Sequence, residues 1–297
     1  MNGAVQPEPT ACPGCDADDA RTLFEGGNPH LCIVRCRACG LMYQNPRIPE
    51  VSLEDAHALL PEYADYGALH AAKTEIMANR LADWLHRSML PRSGLMLDFG
   101  AGLGPLADAQ RRALPAWDYF ALEPSPSARQ QLESRGLKTL RQLPDANHAD
   151  PFDFVQIDNV LEHLPTPRQT LSEIRRSLQP NGLCYIEVPN ESWFRLRRRI
   201  NDFARGYPKA PTFPGHLTLF TKRTLHQMLE TTGWKIVAQG AVSISANHRI
   251  GSVLPHPPSL RLRAILSALR WTGADLILNA AYWTWVLATP SGAVRER

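Results

Sequence analysis

The pattern of apolar and polar positions divides the chain into three stretches. Residues 10–48 hold most of the cysteines. Residues 67–90, GALHAAKTEIMANRLADWLHRSML, place Leu69, Ala72, Ile76, Arg80, Leu81, Trp84 and Leu85 mostly at helical spacing, so a helix packed by one face is predicted. From residue 95 short apolar runs alternate with helical periods. LMLDFG reads as a strand and PLADAQRRALP as the helix after it, with Pro105 in its first turn. DYFALEP and SPSARQQLESRG form a second strand and helix. FDFVQIDNVLEHL is a strand running into a loop, PRQTLSEIRRSLQPNG a helix stopped at Asn181-Gly182, and LCYIEVP another strand. After a polar insertion at 191–212 come the helix TKRTLHQMLETTG and the strand WKIVAQGAV. This alternation predicts parallel strands with helical crossovers, a doubly wound α/β sheet.

The segment 262–288 is rich in Leu, Ala and Trp but is interrupted by Arg270, Asp275 and Asn279. A charge at the centre of a spanning helix costs roughly 2.5–3.5 kcal/mol, so a transmembrane helix is rejected. Amphipathic helices packed on the domain or at a dimer contact are predicted. The alternative is peripheral membrane contact through Trp271, Trp283 and Trp285.

Composition narrows this further. A chain of 297 residues, 44% hydrophobic and 21% charged, suits one large globular domain or a catalytic domain with a small appendage. A net charge of +3 is too small to argue for a nucleic-acid partner. The N-terminal MNGAVQPEPTACPGC has no basic start followed by an apolar core, so no signal peptide is expected and the cytoplasm is the expected location.

Five of the six cysteines fall within residues 12–39. Cys12 and Cys15 form one C-x2-C, Cys36 and Cys39 another, and 20 residues separate them. That spacing can bring four thiolates to one tetrahedral ion and predicts a structural zinc ribbon. Cys32 lies outside the paired spacing and Cys184 in a predicted buried strand. Between the knuckles Arg21, His30 and Arg35 are mixed with Asp16, Asp18, Asp19 and Glu25. The mixture lacks the basic, aromatic-interleaved face of a nucleic-acid reader.

The candidate chemistry centres on LDFGAGLG, where Asp98 is followed by Gly100, Gly102 and Gly104. A dinucleotide loop would read G-x-G-x-x-G, but the position three beyond Gly102 is Pro105, and no Gly-Lys-Ser/Thr follows to make a phosphate loop. Glu123 ends the second strand, 25 residues after Asp98. A carboxylate at that place can accept hydrogen bonds from two ribose hydroxyls.

LDFGAGLG, ALEPS, FDFVQIDNVLEHLPTP and LQPNGLCYIEVPN, in that order, resemble the successive motifs of class I S-adenosylmethionine-dependent methyltransferases, in the branch where LEH follows the fourth strand. HLTLFTKRTLHQMLETTGW is similar to that branch as well, and the likeness covers about residues 95–240. The cysteine-bearing N-terminus also resembles that of sugar C-methyltransferases and related small-molecule or glycan-tailoring enzymes.

The resemblance implies a seven-stranded Rossmann-like sheet with its last strand antiparallel. It further implies that Asp98 and the loop Gly100–Ala101–Gly102 meet the methionine part of S-adenosylmethionine, Glu123 the ribose, Pro124 and a residue near Gln142 the adenine, and Asp158 with Asn159 the floor beneath the sulfonium. That cofactor carries no phosphate, and an ammonium and two hydroxyls ask for carboxylates and carbonyls. Base candidates are His163, His216 and Asp158, with Glu162 fixing the loop. Tyr63 and Tyr66 could close over the cofactor, and Arg195, Arg197, Arg198 and Arg199 could line an acceptor lid.

The domain expectation is a zinc-ribbon-like segment at 10–48, a methyltransferase domain at 60–245 and a C-terminal helical extension at 246–297. The activity expected is methyl transfer to a small-molecule or glycan acceptor. An RNA methyltransferase using the ribbon, and a non-catalytic cofactor-binding assembly partner, stand as alternatives. Oligomeric state is left open.

Overall fold

The computed structural model describes residues 7–25, 32–47, 67–87, 89–144, 150–192, 215–242 and 283–292. In chain order the elements are β1 (Ala20–Glu25), β2 (Cys32–Cys36), β3 (Met42–Gln44), α1 (Gly67–His86), β4 (Gly94–Phe99), α2 (Ala107–Ala113), β5 (Trp117–Leu122), α3 (Pro126–Ser134) and β6 (Lys138–Leu140). They continue with β7 (Phe152–Asp158), a single 3-10 turn (Leu161–His163), α4 (Pro167–Ser177), β8 (Leu178–Pro189), β9 (Thr218–Leu219), α5 (Lys222–Thr231), β10 (Trp234–Val242) and β11 (Trp283–Pro290).

Seven strands form the main sheet in the order β10-β11-β8-β7-β4-β5-β6. From β8 to β6 every pairing is parallel, while β11 runs antiparallel to both β8 and β10. Helices cover both faces. On one, α1 inserts Met77, Leu81 and Trp84 against Met96, Phe154, Tyr185 and Leu287, with Leu132 of α3 alongside. On the other, α4 gives Leu171 and Ile174, and α5 gives Leu225, Met228 and Leu229, to a core with Val155, Ile157 and Ile186. Each fully buried aliphatic side chain is worth about 1.5–3 kcal/mol of transfer energy, so apolar periodicity fixes which helix face turns inward.

Two boundaries differ from expectation. The helix after the glycines starts at Ala107, with Pro105 and Leu106 in a turn before it. The helix α4 ends at Ser177, and β8 begins at once, running through Asn181-Gly182. A Cβ at Gly182 would lie 3.0 Å from the Gln179 carbonyl and 3.1 Å from that of Phe152, so this glycine serves close backbone approach rather than a helix stop.

The larger correction is at the C-terminal end. Residues 283–288, predicted as helix, are strand β11, wedged between β10 and β8. The sheet therefore draws on chain beyond the expected domain boundary at 245. The sequence Trp-Thr-Trp-Val is rich in aromatic and β-branched residues, which favour strands. Its continuation, Val286, Leu287 and Ala288, is buried without any polar alternation. An apolar run buried on both faces has no period that separates strand from helix. Trp283 and Trp285 are thus strand residues of the main sheet. Trp285 packs 6.1 Å from Trp84 and 6.0 Å from Tyr185, ring centre to ring centre. Gly240 faces it from β10, where a Cβ would sit 2.6 Å from the indole. Arg270, Asp275, Asn279 and Trp271 lie outside the described residues, and among the described residues no helix is long and apolar enough to cross a membrane.

A second, four-stranded antiparallel sheet, in the order β1-β2-β3-β9, carries the cysteines. Three of its strands are N-terminal, but β9 comes from the stretch before α5, pairing Met42 with Leu219 and Tyr43 with Thr218. Cys12, Val34, Cys36, Leu41 and Tyr43 share one buried cluster with Val155, Leu161, Leu171 and Phe220. The ribbon is welded to the main domain by a shared strand and a shared core.

Candidate active site

The glycine loop leaves β4 at the carboxyl edge of the sheet. Gly100, Gly102 and Gly104 have φ of +75°, +55° and +65°, the left-handed region that favours glycine. A Cβ at Gly100 would lie 2.6 Å from Val160 Cγ2, and one at Gly104 2.5 Å from Leu132 Cδ2. One at Gly102 would meet nothing within 4 Å. The outer two glycines let the loop press onto the protein, and the middle one leaves its backbone open to a ligand.

Backbone bonds hold that loop: Gly100 N–H and Ala101 N–H donate to the Leu122 carbonyl at 2.8 and 3.0 Å. Glu123, 2% exposed, straps two loops together. Its Oε2 accepts from Gly102 N–H at 2.8 Å, and its Oε1 from Ser125 N–H at 2.9 Å. Ser125 also caps α3, and Pro126 opens it, so the chain after Glu123 turns sharply away. Pro124 and Gln142 are exposed beside this strap.

Asp98 is buried in β4 and turned inward. Its Oδ2 accepts from Tyr119 O–H at 2.6 Å, and its Oδ1 from Gln156 Nε2 at 3.5 Å. Burial lifts its carboxyl from 3.8 to about 7; the Tyr119 and Gln156 hydrogen bonds oppose the shift, and the Asp158 and Glu123 carboxylates add to it. The same burial, with Asp98 beside it, raises the Tyr119 phenol well above its ordinary value.

At the exit of β7, Asp158 lies alongside Glu187 of β8 in the parallel register. Two carboxylates side by side repel each other, and Arg80 of α1 relieves this. Its Nη1 donates to the Tyr185 hydroxyl at 2.5 Å and lies 3.5 Å from Glu187 Oε2, with its guanidinium 4.6 Å from the centre of the Trp285 ring. Arg80, Asp158, Tyr185 and Glu187 line a narrow cleft together with Ile76, Met77 and Leu106. Asn159, next in the chain, has φ of +53°, uncommon for any residue but glycine. Its Nδ2 donates to Asp158 Oδ1 at 2.9 Å, and its N–H to the Glu187 carbonyl at 2.9 Å, which hold that backbone in place.

The 3-10 turn then buries Glu162 and presents His163, whose side chain is 22% exposed. His163 Nδ1 lies 2.8 Å from the Gly215 carbonyl. A carbonyl only accepts, so Nδ1 carries the proton and donates this bond. His216 packs edge-on against it, ring centres 4.8 Å apart. Burial, then the neighbouring His163, holds the His216 pKa well below the ordinary value. The ribbon fixes this segment: Gln44 N–H donates to the Leu217 carbonyl at 2.9 Å and Gln44 Nε2 to that of His216 at 2.9 Å. Arg47 Nη1 donates to the Pro165 carbonyl at 3.0 Å just past the turn.

In the ribbon the four cysteines come together as predicted, their sulfurs within 4.8 Å of one another. Cys12 Sγ is 3.5 Å from Cys39 Sγ, and Cys15 Sγ is 3.5 Å from Cys36 Sγ. Ligands at about 2.3 Å in a tetrahedron stand roughly 3.8 Å apart, so the donor set fits zinc. Gly14 N–H points at Cys12 Sγ and Cys39 N–H at Cys36 Sγ, at 3.4 and 3.5 Å. For Cys36, burial raises the thiol, but hydrogen bonds from the Cys39 backbone and the Cys15 thiol prevail and bring it to about 7. Cys32 and Cys184 stand apart from the cluster.

The structure thus gathers Asp98, Gly100, Ala101, Gly102, Glu123, Asp158 and Asn159 along one sheet edge, with Pro124 at its rim and His163 paired to His216 past the exit of β7. Tyr63, Tyr66, His30 and the arginines at 195–199 lie outside the described residues. Sequence reasoning missed Gln44, Tyr185 and Glu187, and it read Arg80 only as part of a helix face. The available signals were a charge on an apolar helix face and a glutamate inside the apolar run LCYIEVP.

This is the fold and the edge-on site of a class I S-adenosylmethionine-dependent methyltransferase. A family model described as "Methyltransferase domain" matches residues 74–239, and the chain belongs to that family. A ubiquinone biosynthesis O-methyltransferase of Actinobacillus pleuropneumoniae is 29% identical over 109 residues, which is 33% of this chain and 46% of that protein. The chain thus spans about half the length of the curated relatives it matches. Among solved structures, the plantazolicin methyltransferase BpumL, in complex with a monoazolic desmethylPZN analogue and SAH, aligns with a TM-score of 0.50 at 16% identity, over 80% of this chain and 90% of that one. A SAM-dependent methyltransferase from Archaeoglobus fulgidus aligns with a TM-score of 0.47 at 17% identity, over 73% and 94%.

Proposed function

We propose that the chain methylates a hydroxyl of a small-molecule or sugar-type acceptor, with S-adenosylmethionine held along the carboxyl edge of β4, β5 and β7. The loop Gly100–Ala101–Gly102, backed by Asp98, receives the methionine part, and Glu123 the ribose hydroxyls. Pro124 borders the adenine, and Asp158 with Asn159 form the floor under the sulfonium. Zinc on Cys12, Cys15, Cys36 and Cys39 is structural.

One observation carries this reading. Glu123, Asp158 and Glu187 set carboxylates along one sheet edge, with Asp98 buried behind them and Glu187 matched by Arg80. Such a row favours a ligand carrying positive charge, as a sulfonium and an ammonium do, and repels a pyrophosphate. The cofactor supplies an activated methyl group; the protein's part is to hold the acceptor oxygen in line with it and to let its proton leave. Asp158, His163 and His216 face the acceptor side, so the proton leaves on that side. The hydroxyl acceptor is supported by the O-methyltransferase named above. The RNA reading has less support, because two of the ribbon's cations are engaged: Arg35 Nε donates to the Gly40 carbonyl at 3.3 Å, and Arg37 pairs with Asp19 at 3.2 Å.

Calorimetric titration of the zinc-loaded protein with S-adenosylhomocysteine, and with NAD as control, tests the reading. Micromolar binding of the first and none of the second is expected. Glu123→Ala removes charge-assisted bonds worth about 1.5–3 kcal/mol each, so affinity should fall on the order of 100-fold. NAD binding without S-adenosylhomocysteine binding would refute it. Cofactor binding with no methyl acceptor in any extract, together with a partner that always co-purifies, would favour the assembly-partner reading.

A further inference from the structure

A second group of metal-competent side chains lies apart from the cysteines. Glu162, His163 and His216 bring one ligand atom each to within 4.8 Å of one another. We propose that these three side chains bind a divalent transition-metal cation at the acceptor edge, distinct from the ribbon's zinc. The cation would face the oxygen that receives the methyl group. The inference rests on the hydroxyl-acceptor reading above and deepens it.

Four observations carry the site. The donor set is one carboxylate and two imidazoles, a combination that suits zinc, iron, cobalt or nickel and leaves coordination positions open. The orientation suits ligation: His163 commits Nδ1–H to the Gly215 carbonyl at 2.8 Å, which puts Nε2 on the side of Glu162. Ligating histidines are oriented in this way, by a bond from the other ring nitrogen to a carbonyl or carboxylate. The spacing is open rather than collapsed. His163 Nε2 stands 3.9 Å from Glu162 Oε1, beyond hydrogen-bond reach. Ligands at about 2.0–2.2 Å from a shared cation stand roughly 3.0–3.5 Å apart, so a side-chain shift of about 1 Å completes the set. Finally, both supporting segments are pinned from outside. Gln44 holds the backbone of His216 and Leu217, and Arg47 holds Pro165 beyond the turn.

A cation there has a chemical use. A hydroxyl facing a divalent cation loses its proton at a lower pH than in water. In the transfer the O–H bond gives its proton to solvent, the oxygen forms a bond to the methyl carbon, and the carbon–sulfur bond breaks. S-adenosylhomocysteine is released, so no further reactant is required. Two half-buried imidazoles beside a buried carboxylate suit that role.

The test is titration of the zinc-loaded full chain with Co²⁺, read by its visible ligand-field bands, with S-adenosylhomocysteine affinity measured on every sample. One equivalent of Co²⁺ should bind beyond the zinc, with no sulfur-to-cobalt charge-transfer band. His216→Ala should abolish that equivalent. Glu162→Gln should weaken it at least tenfold. Both variants should keep cofactor affinity within about threefold. No stoichiometric uptake by the unaltered chain while S-adenosylhomocysteine still binds overturns the metal site alone. A charge-transfer band also overturns it, since the cobalt is then on the cysteines. Loss of S-adenosylhomocysteine binding in the unaltered chain would overturn the methyltransferase reading beneath it.

Discussion

The two halves of the sheet's carboxyl edge are built differently. The cofactor half is assembled from neighbours in sequence: Glu123 reaches back 21 residues to Gly102, Asp98 meets Tyr119 at the same separation, and Ser125 is two residues from Glu123. The acceptor half is assembled from chain ends. His163 is tied to Gly215 across 52 residues, Arg47 to Pro165 across 118, and Gln44 to His216 across 172. The first half is held mainly within one β-α-β unit, to which Gln156 beneath Asp98 and Val160 beneath Gly100 add support. The second depends on the ribbon being folded and docked, so a zinc ion on the four cysteines would also set the geometry around His163 and His216.

Removing the zinc should separate the halves most strongly. Structural zinc sites contribute on the order of 10 kcal/mol to the folding of the segment they hold, and this ribbon shares its core with Leu161, Leu171 and Phe220. Chelation, or Cys39→Ser, should lower the melting temperature by about 10 °C or more, since each 1 kcal/mol shifts it by roughly 2–4 °C in a domain somewhat smaller than this chain. S-adenosylhomocysteine affinity should change by less than about threefold, because none of Gly102, Glu123 or Asp98 touches the ribbon. The Co²⁺ equivalent at Glu162, His163 and His216 should disappear together with β9. Equal loss of cofactor affinity and Co²⁺ binding would mean that the halves are not separable.

That asymmetry also explains what could be read before folding. The cofactor half was legible because its contacts lie inside a short repeat of strand, glycine loop and helix, with the carboxylate placed at the end of the next strand. The four cysteines were legible because each C-x2-C carries its own geometry. His163 and His216 could be singled out as residues, but nothing in the pattern puts Gln44 beneath His216. That contact depends on β9 crossing into the N-terminal sheet, a pairing two residues long. Strand β11 was misread as helix for a related reason. Its Val286, Leu287 and Ala288 are buried on both faces, which erases the alternation that marks a half-exposed strand. Arg80 and Glu187 each stand in an apolar run, and the structure pairs them across α1 and β8.

The middle-sized test acts on the cofactor half alone. Asp98 is raised from 3.8 to about 7 in the folded chain, so between those values the folded state holds a proton that the unfolded state has released. The sign follows: this group's contribution is fully present below about pH 4 and is lost as pH rises through about 7. The slope is at most about 1.4 kcal/mol per pH unit, a few kcal/mol across the window. Asp98→Asn keeps the shape and removes the ionisation. Urea unfolding of both proteins between pH 4.5 and 8 should show wild type losing ground to the variant as pH rises, and parallel curves would refute the buried, protonated Asp98. Cofactor affinity offers a second reading. A cationic ligand favours the ionised carboxyl, so S-adenosylhomocysteine, with its ammonium, should bind wild type more tightly from pH 6 to 8 while the variant stays flat. The ribbon and the Co²⁺ equivalent should be unaffected.

The smallest expected effect sharpens what welds the ribbon in place. Arg168 of α4 bonds Asp16 at the first knuckle, a contact between the two sheets' territories that looks like a clamp. Both ends are accessible, however, with the side chains 33% and 79% exposed. An exposed pair gains little Coulomb energy in water, gives up side-chain entropy and is screened by salt, leaving about 0–1 kcal/mol. The competing attachment is the β3–β9 pairing with Tyr43, Leu41 and Cys12 buried against Phe220 and Leu161. Arg168→Ala should therefore shift urea stability by less than about 1 kcal/mol, with the shift shrinking further at high salt. Zinc content, Co²⁺ uptake and S-adenosylhomocysteine affinity should be unchanged. A loss above about 2 kcal/mol, accompanied by weaker Co²⁺ binding, would show that surface charge rather than the shared strand and core docks the ribbon. The acceptor half would then be sensitive to salt in a way that the cofactor half is not.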